Sequence, residues 1–249
     1  MLSYKGMTSY ELQAVLDTRR WERELLREPR TREWIAKGMQ NRFNSMVPDR
    51  IHRVITEGVR NMVEAVLTGS RYTTPHPLVG MDLERRERKA RQVLERYKTA
   101  AVVEGWGTGF GGVVMGMADF PLLLSIKIKF LYEMAAAYGR DCKDPGERLF
   151  LLHIFQLAFS TGETRRRLFP LLRHWNRRME EASSRDFDWR HFQQEYRDYL
   201  DLPKLIQMVP VVGAVAGAYV NNRLLGQLGE YAIHCYRLRW MEEREEERE

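Results

Sequence analysis

Three side chains of this sequence could take part in acid–base chemistry: Asp119, His153 and His234. Asp119 stands between a glycine-rich apolar run and Phe120-Pro121. A carboxyl so desolvated has a raised pKa and, with His153 or His234 as partner, could serve a hydrolase. The competing reading is a helix cap. Asp119 would then accept from the Leu122 N–H, with Pro121 in the first turn, where its missing donor is harmless. The cap is favoured, because no nucleophile motif, metal set or cofactor fingerprint accompanies these residues. His153 lies in a segment that is apolar nearly all round, where a single histidine is more often a hydrogen-bonded core residue than a ligand. No acidic or histidine partner sits at metal-ligand spacing from it, so neither a metal nor a cofactor is expected.

The run Gly107-Thr-Gly-Phe-Gly-Gly112 matches the dinucleotide fingerprint G-x-G-x-x-G letter for letter. That fingerprint works only between a strand and a helix, and here a charged helix precedes it. The glycines read better as small-residue contacts, Gly105 with Gly109, Gly112 with Gly116 and Gly213 with Gly217, where helix backbones can approach closely. Neither apolar stretch makes an ordinary spanning helix, for which about 20 strongly apolar residues are needed. Trp106–Ile126 carries Asp119, five glycines and a proline, and Leu205–Val220 is uncharged but short.

Charge is distributed unevenly. Residues 1–100 hold 20 Lys/Arg against 13 Asp/Glu, whereas the last 45 hold 5 against 7. A basic front half favours anionic partners. Arg85, Arg86, Arg88 and Lys89, together with Arg166, Arg173 and Arg177 near one helical face, are the candidate contacts for anionic headgroups. The competing reading for both groups is an ordinary solvated helix surface. Aromatics interleaved with arginines around residues 187–200 could stack bases, but no strand platform supports that, and nucleic acid is not expected as a partner. Cys142 and Cys235 form no framework, and the opening MLSYKGMTSYELQ lacks the apolar core of a signal peptide. A cytoplasmic chain, with membrane association as a further expectation, follows.

The elements that must position these residues read as helices throughout. Thr8-Ser-Tyr-Glu11 is a capping box opening a first helix. Ile51 to Leu67 shows a 3.6-residue apolar stripe after Pro48-Asp49. Thr73–Gly80 is a loop by its prolines. A basic helix over Met81–Val103 follows, with Leu83, Ala90, Val93, Leu94 and Tyr97 inward. Leu122–Tyr138 is apolar and stops at Gly139. Asp144-Pro-Gly-Glu147 predicts a cap, a first-turn proline and a capping-box glutamate for the apolar helix up to Ser160. Gly162–Glu181 reads as one basic helix, and a long helix runs to Trp240 with Leu224, Leu228, Ala232 and Cys235 inward. Residues from Glu242 read as a fraying charged tail. The expected fold is all-α, a single multi-helix bundle with the two Gly-rich apolar segments packed at its centre.

Three groups of residues together resemble the EcsC family of bacterial proteins. They are Gly105–Pro121 with its Asp-Phe-Pro, Tyr138-Gly-Arg-Asp through Asp144-Pro-Gly-Glu-Arg-Leu-Phe150, and Val209-Pro-Val-Val-Gly213 with Asn221 and Arg239-Trp240. The resemblance covers about Val47 to Met241, which implies a variable helical extension over 1–46, an EcsC-like domain over 47–241 and a charged tail over 242–249. It implies an all-helical cytoplasmic protein. The family takes its name from an operon that also encodes an ABC transporter, so a link to transporter or secretion functions is implied too. It supplies no catalytic residues. Gly105, Gly109, Gly112, Asp119, Pro121, Tyr138, Gly139, Asp144, Pro210, Gly213 and Asn221 carry over as motif positions only. The expected function is a non-enzymatic membrane-peripheral accessory protein, meeting an anionic membrane surface or a membrane protein. The alternatives are a lipid or small-molecule binder with a cavity between helices and, behind it, the hydrolase.

Overall fold

The computed structural model describes residues 6–27, 61, 64–66, 76–107, 120–160, 162–183 and 214–246. Every element among them is a helix: α1 (Ser9–Leu26), α2 (Leu83–Gly107), α3 (Phe120–Ala137), α4 (Pro145–Phe159), α5 (Gly162–Arg173), α6 (Trp175–Ser183) and α7 (Ala214–Glu246). The capping box at Thr8 is closed in both directions, with the Glu11 N–H on the Thr8 hydroxyl and the Thr8 N–H on the Glu11 carboxylate. Asp82 starts α2 by accepting from the Arg85 N–H at 2.8 Å. At the end of α3, Gly139 has φ +79°. Its N–H bonds to Ala136 O and the Arg140 N–H reaches back to Ala135 O, satisfying carbonyls that the helix end would otherwise orphan.

α7 is the axis of the bundle and packs against each of the six other described helices. α4 is the second central element, for every residue from Gly146 to Ala158 is buried. The neighbours of α7 fix its direction. Glu87 meets Arg237 while Arg91 meets Glu230, so α2 runs antiparallel to α7. A Cβ on Gly229 would fall 2.6 Å from a methyl of Leu94, so only glycine permits this approach without a shift. Tyr97 bonds Glu133 at 2.8 Å and packs on Phe130, while Leu78, just before α2, donates its N–H to Ala136 O, so α3 is antiparallel to α2 and runs the same way as α7. Hence α2 ends, and α3 and α7 begin, at one end of the bundle. The apolar stretches Trp106–Ile126 and Leu205–Val220 join the bundle at that same end.

The opposite end is ionic. Arg140 pairs with Glu243, and Arg244 lies 3.2 Å from Glu11. Glu242, expected in a fraying tail, is buried inside the continuous α7. Its two carboxylate oxygens accept the backbone N–H groups of Asn176 (2.9 Å) and Arg177 (3.2 Å), which have no partner within α6. That same cap explains a second difference. The single helix expected over Gly162–Glu181 is broken at His174, where α6 starts afresh with Trp175 buried beneath it.

α1, read from sequence as part of a variable extension, docks in the core through Ala14, Val15, Thr18 and Leu25. Trp21 stacks on His234 at 4.7 Å and meets Tyr231 and Phe169 edge-on, tying α1 to α7 and α5. Gly109, Gly112, Asp119, Pro210 and Gly213 lie outside the described residues, as do nearly all of the 51–67 stripe and the aromatic segment at 187–200. The central packing expected of the Gly-rich segments falls mostly outside them too.

Candidate functional site

The densest chemistry of the described structure is a buried ionic seam where α7 meets its neighbours. Glu87 sits on the apolar side of α2, one turn from Leu83 and Ala90, and is wholly buried. The Arg237 guanidinium donates to both its oxygens, Nε and one terminal nitrogen each at 2.6 Å, and the Tyr10 hydroxyl of α1 donates at 2.7 Å. Burial, then the bond to Glu87, pushes the Tyr10 hydroxyl up to about 12. A second centre lies two residues along α7. Glu147 accepts from Arg239 and from the Tyr236 hydroxyl, both at 2.6 Å. The capping box expected of Glu147 does not form, since Asp144 alone caps α4 while Glu147 turns into the core. Arg239 also donates to Asn176 Oδ1 at 2.9 Å and stands over the Phe150 ring. Tyr138 stacks on Tyr236 at 4.5 Å, between the two centres.

All four carboxylate oxygens of Glu87 and Glu147 are thus engaged by donors. Such an arrangement locks helices in register and leaves no base poised beside a nucleophile. The sequence signal for it was present but weak. Glu87 interrupts the stripe Leu83–Ala90–Leu94, and Arg237 and Arg239 interrupt an apolar run, which is where a buried charge must be paired.

The two histidines do not form a dyad. His234 Nδ1 lies 3.1 Å from the Thr18 hydroxyl and its ring covers Trp21. His153 faces the edge of Trp175 and lies beside Gln156. Burial pushes each down to about 4, so both are neutral near pH 7. Lys127 of α3 is buried, and desolvation lowers its amine to about 8. It lies three turns before Tyr138, about 16 Å toward the end where the apolar stretches join. Cys142 and Cys235 are buried free thiols whose pKa values are raised by desolvation. Among the described residues no His, Cys, Asp and Glu side chains cluster as three or more metal ligands, and no helix is long and apolar enough to cross a membrane.

Of the basic residues singled out on α2, Arg85, Arg88 and Lys89 are exposed and Arg86 is half-buried, and most basic residues along this helix have a carboxylate beside them. Arg85 pairs with Asp82, Arg88 with Glu84, Arg91 with Glu230, Arg96 with Glu133 and Lys98 with Glu95. Arg86 turns back to the Met81 carbonyl. Lys89 is exposed. Arg166 and Arg173 are on α5, whereas Arg177 is on α6 across the break, and Arg173 is committed to Glu22 of α1. Of the motif positions, Gly139 and Asp144 are a helix stop and a helix cap, and Tyr138 is core; Gly105, Pro121 and Asn221 lie within α2, α3 and α7.

Fold and seam together define an all-α bundle whose last helix is clamped by buried ion pairs. The chain belongs to the EcsC protein family, whose profile matches residues 13–241. It is 43% identical to Protein EcsC of Bacillus subtilis (strain 168) over 224 residues, 90% of this chain and 93% of that protein. An uncharacterized protein of the same organism, YdbA, is 36% identical over 152 residues, 60% of this chain and 56% of its own. No solved structure matches. The matched range includes all but four residues of α1, the helix that docks in the core.

Proposed function

We propose that this chain is a membrane-peripheral accessory protein that rests reversibly on an anionic lipid surface and performs no covalent chemistry. The observation that carries this reading is the polarity of the bundle. Both apolar glycine-rich stretches join it at one end, whereas the pairs Arg140–Glu243 and Arg244–Glu11 close the other. An apolar end beside basic helices suits an interface, where apolar burial and attraction to anionic headgroups add together. The engagement of Glu87 and Glu147 by arginine and tyrosine donors, and the separate settings of His153 and His234, argue against a hydrolytic centre among the described residues. The link to transporter or secretion functions belongs to the same reading, with a membrane subunit as acceptor in place of lipid.

Co-sedimentation of the full chain with vesicles tests it. Binding to phosphatidylglycerol-containing vesicles at low salt, weakened by high salt and absent with phosphatidylcholine alone, is the expected result. Failure to bind any vesicle at low salt would contradict the reading.

A further inference from the structure

Three of the four large hydrophobic side chains exposed among the described residues belong to one helix. Leu12, Leu16 and Leu26 of α1 are 40%, 49% and 39% exposed. At 3.6 residues per turn they share about a third of the helix circumference with Arg20, Arg23 and Arg27. These three arginines are exposed and form no ion pair or side-chain hydrogen bond among the described residues. No carboxylate falls within that sector. Glu11 and Glu22, on one flank, are taken by Arg244 and Arg173, and Asp17, on the other, accepts from Gln13. Glu24 marks the sector's edge on that side.

We infer that this leucine–arginine stripe of α1 is the face that lies on an anionic membrane surface. The inference rests on the peripheral-membrane reading and names the contact within it. Charge complementarity selects the occupant. The stripe carries three free guanidinium groups and no acid, so a second copy of the same face would be repelled. A protein partner's interface has a core depleted of charge, and here Arg20 stands one turn from Leu16 and Arg23 one turn from Leu26, so charge runs through the middle of the stripe. A lipid surface accepts that alternation, because arginines reach headgroups while leucines enter the acyl boundary. α1 is about 27 Å long and runs antiparallel to α7, so its Leu26–Arg27 end points toward the end where the glycine-rich stretches join. The basic residues of α2 are the weaker contact, since most are already neutralised.

The test is vesicle co-sedimentation of the full chain, using phosphatidylglycerol–phosphatidylcholine vesicles at low salt. The proteins compared are wild type, Arg20→Glu/Arg23→Glu, Leu12→Ser/Leu16→Ser, and Arg85→Glu/Arg88→Glu. All six positions are solvent-exposed, and thermal melting establishes that each variant folds like the wild type. The α1 charge reversal is expected to lower partitioning about tenfold or more, and the α2 reversal to lower it far less. The leucine variant is expected to lose the salt-resistant part of the binding. Wild-type binding with an unaffected α1 charge variant would overturn the inference and leave the peripheral reading standing. No binding by wild type would sink both. A change from dimer to monomer in the leucine variant by analytical ultracentrifugation would give the face to a second copy and also overturn it.

Discussion

Glu87 shows what one buried side chain can demand of its neighbours. It has no exposed surface, and in place of water Arg237 donates to both oxygens and Tyr10 adds a third bond. Arg237→Ala would leave that carboxylate without its counter-ion in the core and should cost about 3–5 kcal/mol in urea unfolding. The double variant Glu87→Leu/Arg237→Met, which removes both charges, should recover most of this loss. A double variant as unstable as the single one would mean that the seam does more than pair charges. The histidines set a pH dependence. Between pH 6.5 and about 4 the unfolded chain protonates His153 and His234, while the folded chain excludes those protons by burial. Their contribution to stability is therefore complete above pH 6.5 and declines as pH falls toward 4. His153 alone should account for on the order of 2–3 kcal/mol, and His153→Leu should flatten the acid side of a stability profile by that amount.

At the level of the element, helix ends decide where the chain turns. Gly139 holds a left-handed conformation, and a Cβ there would come within 3.0 Å of the Leu78 carbonyl oxygen. Gly139→Ala should cost about 1–2 kcal/mol, read as a lower urea midpoint with unchanged slope. Glu242 caps α6 from another helix, and Glu242→Ala should cost about 1–2 kcal/mol by exposing two N–H groups to a dry environment. These ends also show which elements were legible in the sequence. Thr8, Asp144, Pro145 and Gly139 act locally, through side chains within three residues of the backbone they satisfy, so spacing alone reveals them. The break at His174 depends on Glu242, which caps Asn176 from 66 residues away, and no local pattern contains it. Glu147 was misread for the same reason, because its capping role lost to Arg239 and Tyr236 on a distant helix.

The whole molecule has two unlike ends, and neither could be assembled from local patterns alone. The two glycine-rich stretches were conspicuous in the sequence, yet that the helices leading into and out of them share one end of the bundle follows only from the directions of α2, α3 and α7. The basic residues of α2 were equally conspicuous, and Arg85 and Arg88 pair with Asp82 and Glu84 of the same segment, but the pairing of Arg91 with Glu230 and of Arg96 with Glu133 required the tertiary fold. The α1 stripe went unnoticed because its arginines are interleaved with acids along the chain and separate from them only around the helix. Contact of this stripe with lipid can be read at one side chain. The native thiols of Cys142 and Cys235 are buried, so a Leu16→Cys variant can be labelled selectively with an environment-sensitive fluorophore. With anionic vesicles at low salt, emission from position 16 should shift to the blue and return on adding salt, while the same label at Lys89→Cys should not shift. Unchanged emission at position 16 in the presence of those vesicles would contradict the account.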